Sequence, residues 1–253
     1  MGNRIRKGAV FLGPNTTGNG RKARNGFPSL QQNINFAGNR PVMHIDSHPA
    51  ILYFGTPVVL ISTVNTDGSY NLAPISSVFW LGWRCMIGLG SASHTAQNLL
   101  HTRECVLNLP SVQEAAAVDR LALTTGANPV PANKQQRGYR HVKDKFALAD
   151  FTPATSGTVA APRAAECPVQ LEAGVVAWHR LGQDDPAQYG RIITFELKIR
   201  KVHLDTDILM DGYTDRVDPD KWRPLIMSFQ HFYGLGDKVH PSTLAQIPER
   251  LYR

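Results

Sequence analysis

Two short segments carry side chains and backbone groups whose types and spacing suit the binding of a phosphorylated ligand. Residues 71–77 read NLAPISS, and residues 88–98 read GLGSASHTAQN, which is a strand end followed by a helix start. The free N–H groups and partial positive charge of a helix N-terminus hold phosphate groups. Ser93, Thr95 and also Ser91 would add hydroxyl donors there, and His94 would add charge.

The segment NLAPISS follows a turn signal, where a strand rich in apolar side chains is expected. Its residues are small or polar instead, and Pro74 removes one N–H donor and frees that position from strand pairing. The backbone groups of Ala73 to Ser77 are then available to the edge of a ring, and Gly88 and Gly90 permit close approach. The two segments together predict a groove for a planar, polar-edged ring that carries a phosphate.

These residues also have a purely structural explanation. Gly and Ser before a helix are ordinary capping residues, and a proline within a strand often marks an edge or a bulge. The spacing alone therefore leaves both a ligand site and ordinary capping open.

The elements that must position these segments follow one another closely. The predicted strands are TPVVLISTVN at 56–65, a second strand through NLAPISS and SSVFWLG to residue 82, RCMIGLG at 84–90 and ECVLNLPS at 104–111. A helix with Ser91 or Ser93 as its N-cap precedes the fourth strand. If the second and third strands pair antiparallel, the start of the second lies beside the end of the third, and the groove forms between them.

The rest of the chain adds two helices, two long strands and a mixed C-terminal region. We predict a helix at 112–123, a loop at 124–141, a short helix within 142–155, strands at 165–182 and 190–205, and a short helix with aromatic packing within 218–236. Six or more strands at hairpin spacing, with few helices, predict a mainly β fold with a closed or nearly closed antiparallel barrel. Strand–helix alternation, which a parallel sheet needs, occurs only near 85–123.

The net charge of +7 is concentrated in the N-terminal region. Residues 1–45 contain seven Lys and Arg and no Asp or Glu, and the remaining 20 basic residues are balanced by 20 acidic ones. A neutral body lacks the field that draws a domain to phosphate backbones, so we expect no nucleic-acid partner.

Residues 1–42 are rich in Gly, Asn and Arg and lack periodicity. We interpret them as a disordered basic extension or an artefact ahead of a start at Met43, in preference to a targeting peptide. Residues 43–253 then form one split-barrel domain with a C-terminal extension. Apolar runs are strand-sized, Cys85, Cys105 and Cys167 have apolar neighbours, and no secretory signal is visible, so we expect no membrane span and a cytoplasmic location.

The linked segments resemble the flavin reductase-like FMN-binding split-barrel family, of which flavoredoxins are members. The resemblance rests on TPVVLISTVNTDGSYNLAPISSVFW, GLGSASHTAQNLLHTRECVLNLPS and DKFALADFTPATSGTVAAPRAAECPVQLEAGV, and it covers roughly residues 50–205. It implies a six-stranded antiparallel Greek-key barrel, a homodimer and FMN, in preference to FAD, at the subunit interface. The cofactor-binding residues that it implies are Asn71, Ala73, Pro74, Ile75, Ser76 and Ser77 for the ring, and Gly90, Ser91, Ser93, His94, Thr95 and Asn98 for the ribityl chain and phosphate.

The resemblance further implies NAD(P)H as co-substrate, hydride transfer to the flavin and a small-molecule electron acceptor. Many reductases of this group carry Gly-Asp-His in a late barrel strand, where this chain reads QYGRIITFEL. A non-catalytic FMN-binding or storage protein, a flavoprotein oxygenase with tightly bound FMN, and an unliganded barrel that binds a protein partner therefore remain alternatives. His231 and Tyr233 either pack the chain end or cover the flavin.

No catalytic residue and no metal site are predicted. His44 and His48 have a metal-ligand spacing only within a helix, and Pro49 favours a turn there. His94 and His101 would lie about 10 Å apart along a helix, which is too far for one metal ion.

Overall fold

A computed structural model describes residues 42–252 of the chain. The predicted basic extension lies outside the described residues except for Val42, and the domain boundary at residue 43 stays a prediction. The chain divides into two units after His48. Residues 42–48 of the first unit are exposed and form no helix or strand.

The second unit is mainly β, as predicted. Its strands are β1 (Phe54–Pro57), β2 (Val59–Val64), β3 (Tyr70–Ile75), β4 (Val78–Leu81), β5 (Arg84–Gly90), β6 (Glu104–Leu109), β7 (Thr124–Thr125), β8 (Arg140–His141), β9 (Pro153–Ala154), β10 (Arg163–Ala164), β11 (Val169–Arg180), β12 (Ile192–Leu204), β13 (Ile226–Ser228) and β14 (His231–Tyr233). Its helices are α1 (His94–Thr102), α2 (Ala115–Arg120), α3 (Ala132–Gln135) and α4 (Lys145–Ala149), with single 3₁₀ turns at Val112–Glu114, Thr206–Ile208, Thr243–Gln246 and Glu249–Tyr252.

Seven strands form one antiparallel sheet in the order β3-β2-β6-β11-β12-β5-β4. Its two edge strands, β3 and β4, are consecutive in the chain and joined only by Ser76 and Ser77. Because this connection spans at most about 10 Å, the sheet must curl until its edges come close together, which produces a barrel. The predicted second strand is thus divided in two, and the main sheet has seven strands instead of six.

The predicted antiparallel pairing of the second and third strands is correct only for the second half of the second strand, which is β4. Val78 in β4 pairs with Ile87 in β5, and the Gly88 N–H still donates to the Ser77 carbonyl at 2.9 Å. Upstream of Ser76, however, β3 pairs with β2, so the start of the second strand does not lie beside β5 in the ladder. The backbone therefore opens at this point, and the groove lies in the opening.

Apolar side chains fill both faces of the sheet around β2. Val59 and Ile61 point into the barrel core, and Leu60 packs on the other face in a cluster that includes Val118 of α2 and Phe146 of α4. Burial on both faces explains why this strand is a continuous apolar run. Cys85, Cys105 and Cys167 are free and buried, in agreement with their apolar sequence neighbours, and burial raises the pKa of Cys85 to about 12.

Two sequence predictions for helices need correction. The helix predicted at 112–123 is shorter in the structure: Val112–Glu114 form a 3₁₀ turn with a Ser111–Glu114 capping box, and α2 follows at Ala115–Arg120. The predicted short helix within 218–236 is wrong. Residues 226–233 form the hairpin β13–β14, which pairs with β1, and Phe54 contacts Phe229 edge to face.

In the described part of the chain, no helix has the length and apolar character that a bilayer crossing requires. A cytoplasmic location stays a prediction.

Candidate functional site

A cavity of 420 Å³ lies where β3 separates from β5, next to the first turn of α1. Most of the residues predicted for the site line it. These are Ala73, Pro74, Ile75, Ser76, Ser77, Gly90, Ser93, His94 and Thr95. The structure therefore brings together the strand segment and the helix start, although they are separated by β4 and β5 in the chain.

Three predicted residues do not line this cavity. Asn71 and Asn98 are buried beside it and hold its walls together, and Ser91 lines a neighbouring pocket. Asn98 Nδ2 donates to Thr63 Oγ1 at 2.9 Å and to Asn65 Oδ1 at 2.8 Å. The amide nitrogens of Asn71 and Asn98 therefore fasten α1 to β3 and β2.

The strand wall of the cavity presents backbone groups. β3 is an edge strand, paired only with β2 through Val59 to Val64, so every second backbone group faces away from that ladder. The Ser77 hydroxyl is already used, since it donates to the Gly88 carbonyl at 2.5 Å. A Cβ at Gly90 would meet no atom within 4 Å, so the backbone there is open to close approach.

The helix wall is the first turn of α1. Ser93 is its N-cap, one of the two predicted candidates, and its hydroxyl accepts the Ala96 N–H at 3.2 Å. The Thr95 hydroxyl accepts from Asn71 Nδ2 at 3.0 Å and keeps its own proton for another acceptor. His94 Nε2 lies 2.8 Å from Asn65 Oδ1, which also accepts from Asn98. Because an amide oxygen only accepts, His94 donates from Nε2.

Two lysines that sequence reasoning missed line the cavity. The Lys145 side chain, at the first position of α4, is only 3% exposed, and its Nζ donates to Asn71 Oδ1 at 3.0 Å. Burial, and secondarily the charge of Lys134, lowers the pKa of Lys145 to about 8. Lys134 of α3 is half-buried, and its Nζ donates to Thr125 Oγ1 at 3.2 Å.

The cavity is positively charged and lacks a compensating carboxylate. No Asp or Glu is among its lining residues, and the ion pairs found between residues 42 and 252 include neither Lys134 nor Lys145. Burial lowers the pKa of His94, and Lys145, His141 and Lys134 lower it further by charge repulsion, which outweighs a smaller opposite effect of the Asp67 carboxylate outside the cavity. Two ammonium groups and a helix N-terminus therefore converge on one cavity, which is an arrangement for an anion.

One of the two lysines left a signal in the sequence. In DKFALADF, Lys145 shares the buried face of α4 with Phe146 and Ala149, so a charged residue stands on an apolar helix face. Lys134 lies in a segment rich in turn residues, where no periodicity separates a cavity lysine from a surface lysine.

The aromatic residues considered for covering the site are placed elsewhere. His231 and Tyr233 pair with Ser228 and Ile226 in the β13–β14 hairpin and do not line the cavity, whereas Tyr53 does. That His231 and Tyr233 of a second copy cover the flavin stays a prediction.

The cavity fits a phosphorylated planar ring on three grounds. Its volume of 420 Å³ lies in the range of about 300–1,000 Å³ that is usual for small-molecule sites. One wall is an unpaired strand edge, which suits the polar rim of a ring. The other wall combines a helix N-terminus with uncompensated cations, which suits a phosphate. Leu89, Thr125 and Gly126 are among the other residues that line the cavity.

Comparison with known sequences agrees with this geometry. Residues 51–236 match the profile of a family described as flavin reductase like domain. The chain is 36% identical over 191 residues to the uncharacterized protein YdfE of Bacillus subtilis strain 168, and the match covers 76% of this chain and 89% of YdfE.

Solved structures share the fold at low sequence identity. Flavoredoxin of Desulfovibrio vulgaris (Miyazaki F) superposes with a TM-score of 0.64 at 20% identity, covering 80% of this chain and 99% of flavoredoxin. Nitrilotriacetate monooxygenase component B from Bacillus cereus gives 0.60 at 17% identity, covering 74% and 88%. A putative flavin reductase with split barrel domain from Shewanella frigidimarina NCIMB 400 gives 0.55 at 19% identity, covering 74% and 85%. The fold is therefore the split barrel, as predicted.

Proposed function

The chain belongs to the flavin reductase like domain family, and on that premise we propose that it binds FMN and transfers hydride between NAD(P)H and this flavin. A flavin-related oxidoreductase function follows from the family. The choice of FMN over FAD and the use of a nicotinamide are the parts that we add.

The observation that carries the proposal is the burial of the Lys145 ammonium beside the first turn of α1. Its one hydrogen-bond partner among the described residues is a neutral amide, that of Asn71. Burying an ammonium group without an opposite charge costs free energy, and an anionic ligand in the cavity would offset that cost. The phosphate of FMN is such an anion. Lys134 and Thr95 line the same cavity, and Thr95 shares the partner Asn71 with Lys145.

The residues of the chain would hold and orient the flavin, which when bound supplies the hydride chemistry. Lys134, Lys145 and the N–H groups at the start of α1 would bind the phosphate. The free backbone edge between Ala73 and Ser77 would hydrogen-bond the polar rim of the ring. Leu89 and Ile75 would pack against its apolar part. Asn71 would position Lys145 and Thr95 relative to each other, since it bonds to both.

A non-catalytic FMN-binding protein is the second candidate. The start of β12, where related reductases carry a histidine, has Gly190 and Arg191 before Ile192. A protein of this kind would bind FMN with the same residues but would oxidise no nicotinamide.

We also propose that the protein is a homodimer with the flavin near the interface. An apolar surface is exposed at the end of β4 and in the turn to β5, where Leu81 is 70% and Trp83 is 59% exposed. Beyond Gly174, β11 pairs only with β12, so this part of the hairpin extends past β6 and exposes Val176 and Trp178. A second copy is the occupant that the family resemblance implies, and the molar mass in solution tests it.

The absorption spectrum of the purified full-length protein tests FMN binding directly. We expect a flavin spectrum with added FMN, FMN as the flavin released on denaturation, and oxidation of NADH or NADPH that requires FMN. A yellow protein without nicotinamide oxidation would favour the non-catalytic candidate. A protein that leaves the FMN spectrum and fluorescence unchanged would contradict the proposed function.

A further inference from the structure

Lys145 meets the conditions under which a lysine reacts as a neutral amine. Its side chain is buried, lines the cavity of the candidate site and belongs to the first residue of α4. A lysine becomes a nucleophile where desolvation or a neighbouring cation favours the form that has lost its proton. Both conditions hold here, because burial and the charge of Lys134 lower the pKa of Lys145 to about 8. About half of this amine is therefore neutral at pH 8 in the ligand-free protein.

The hydrogen bond of Lys145 does not occupy the electron pair of the neutral amine. Nζ donates to Asn71 Oδ1 at 3.0 Å, and this amide oxygen accepts from a neutral amine as it does from an ammonium group. A carboxylate partner would stabilise the proton instead, but no Asp or Glu lines the cavity. The amine therefore keeps its position when it loses the proton, and its electron pair can attack a ligand.

Lys134 is the second amine that lines the cavity, and its surroundings differ. It is less buried than Lys145, although burial lowers its pKa as well. Its Nζ donates to Thr125 Oγ1 at 3.2 Å and lies 5.4 Å from the centre of the Tyr139 ring, whose face attracts a cation. The other titratable groups of the lining are His94 and the phenols of Tyr53 and Tyr139. Lys134 therefore acts as the neighbouring cation, and Lys145 is the amine that reacts.

The first turn of α1 offers a place for an anion close to this amine. Asn71 Nδ2 donates to Thr95 Oγ1 at 3.0 Å, so the two ends of one amide group contact Lys145 and Thr95. The N–H groups of His94 and Thr95 precede the first hydrogen bond within the helix and have no acceptor there. A small molecule that carries both a phosphate and a carbonyl group can therefore reach the helix and the amine at once.

We propose that Lys145 is a covalent site for a phosphorylated aldehyde, with the phosphate at the first turn of α1 and the carbonyl carbon joined to Nζ as an imine. The neutral amine adds to the carbonyl carbon, a C–N bond forms, and the carbonyl oxygen takes up a proton. This oxygen then leaves as water, and the protonated imine keeps the positive charge that the ammonium had. Nothing is oxidised or reduced in this step.

The imine has a consequence for the proposed function. It would occupy the same cavity as FMN, so the two ligands exclude each other. The covalent site itself goes beyond the proposed function and does not depend on it, since it is a property of the flavin-free protein.

The test uses pyridoxal 5′-phosphate as the probe and the flavin-free, full-length protein. Pyridoxal, which lacks only the phosphate, is the matched reagent. Borohydride reduces the imine to a stable amine, and mass spectrometry of peptides locates it. Lys145→Arg keeps a positive charge but cannot form an imine. Lys143→Arg is the control, because Lys143 is exposed and does not line the cavity. Thermal unfolding verifies that both variants are folded.

We expect the label on Lys145 at a level about tenfold above that of any other lysine at pH 8. Pyridoxal should label Lys145 about tenfold less, because it lacks the group that the helix N-terminus holds. The label should be absent at this position in Lys145→Arg and unchanged in Lys143→Arg. The labelled wild type should bind no FMN.

Three results would overturn the inference, and the first needs no variant. They are a label on Lys134 or spread evenly over the exposed lysines, equal labelling of Lys145 by pyridoxal, and binding of FMN to protein that is fully labelled at Lys145. If the unlabelled wild type binds no FMN, the proposed function fails. The site of the label and its dependence on phosphate then still decide the inference.

Discussion

Glu172 and Lys145 are both buried and ionisable, but they differ in the number of their hydrogen-bond partners. Glu172, in β11, has no exposed surface, and its two carboxylate oxygens accept from the Gly157 N–H at 2.8 Å, from the N–H and hydroxyl of Thr158 and from His203 Nε2 at 2.7 Å. Lys145 has one amide partner at 3.0 Å and faces a cavity. The Glu172 carboxylate is therefore satisfied within the fold, whereas the Lys145 ammonium has donors left for a further partner.

The pKa values follow the same division. Burial alone raises the pKa of Glu172, but the hydrogen bonds from Gly157, Thr158 and His203 outweigh it and lower the pKa to about 2. For Lys145 burial is the main cause, nothing offsets it, and the pKa falls to about 8. The charged form is thus favoured by the fold at Glu172 and disfavoured at Lys145.

The comparison predicts its largest effect for Glu172→Gln. The amide of the variant would replace one of the two acceptor oxygens with an NH2 group, which would face either Gly157 and His203 or Thr158. We therefore expect the free energy of unfolding to fall by about 4 kcal/mol in urea titrations. Glu166→Gln is the control, since the exposed Glu166 carboxylate accepts only the Thr152 N–H. A loss for Glu172→Gln no larger than the loss for this control would show that the Glu172 contacts add no stability.

Acid should remove the same contribution without a mutation. The folded pKa of Glu172 is about 2, below its ordinary value of 4.5, so the unfolded chain takes up the proton first. The stabilisation is therefore present above pH 4.5 and is lost as the pH falls toward 2. Urea midpoints between pH 6 and 2.5 measure it, and Glu172→Gln should flatten this part of the profile. An unchanged slope in the variant would assign the acid sensitivity to other carboxylates.

Lys145→Met should affect the ligand more than the fold. We expect FMN to bind about 30-fold more weakly, as for a lost charge-assisted hydrogen bond of about 2 kcal/mol. The ligand-free variant should be as stable as the wild type or more stable, because the charge that is expensive to bury is gone. Fluorescence titration with FMN and urea unfolding measure the two effects.

The control for this prediction is Lys143→Met, two residues upstream, whose side chain is exposed and does not line the cavity. An unchanged FMN affinity of Lys145→Met, or a large loss of stability, would mean that Lys145 is a structural residue like Glu172.

Alkaline pH should raise the stability of the ligand-free protein through Lys145, whereas acid lowers it through Glu172. The folded pKa of Lys145 is about 8, below its ordinary value of 10.5, so the folded chain loses the proton first. As the pH rises from 8 to 9, FMN binding should weaken by up to about tenfold, while the ligand-free protein gains stability between pH 8 and 10.5. Both trends should disappear in Lys145→Met, and their persistence there would refute the assignment.

The smallest expected effect is that of Thr95→Val. Its hydroxyl has one proton left for a phosphate oxygen, so we expect a loss in FMN affinity of about 1 kcal/mol. Thr102→Val is the control, because the Thr102 hydroxyl donates to the Asn98 carbonyl at the other end of α1. Equal effects of the two substitutions would indicate that both act through the helix and not through the ligand.

Much of the fold could be predicted because its signals are local. The alternation of β5, the capping serine of α1 and the β-branched run of β2 each specify one element, and hairpin spacing specifies antiparallel pairing. The division of the second strand at Ser76 was not predictable, because it depends on closure of the whole sheet. The hairpin β13–β14 was missed because its strands are three residues long and its aromatic residues suit either kind of element.

The candidate site could be predicted only where its residues are contiguous in sequence. Ala73 to Ser77 and Ser93 to Thr95 were found because each group lies in one short segment. Asn71 and Asn98 lie in the same segments but are buried beside the cavity, and the sequence does not show which side chains are buried. Lys145 reaches the cavity through the packing of α4 on β3, and its only signal in the sequence is a charged residue on an apolar helix face. Lys134 left no such signal, so only the tertiary structure reveals it.

The two-residue connection between β3 and β4 makes the barrel seam and the wall of the cavity a single piece of backbone. A ligand that contacts both this backbone and the first turn of α1 would therefore stabilise the closed form of the barrel. Occupancy of the cavity and integrity of the barrel are then coupled, and the slowest-exchanging amides of the bound protein should include those that flank Ser76 and Ser77.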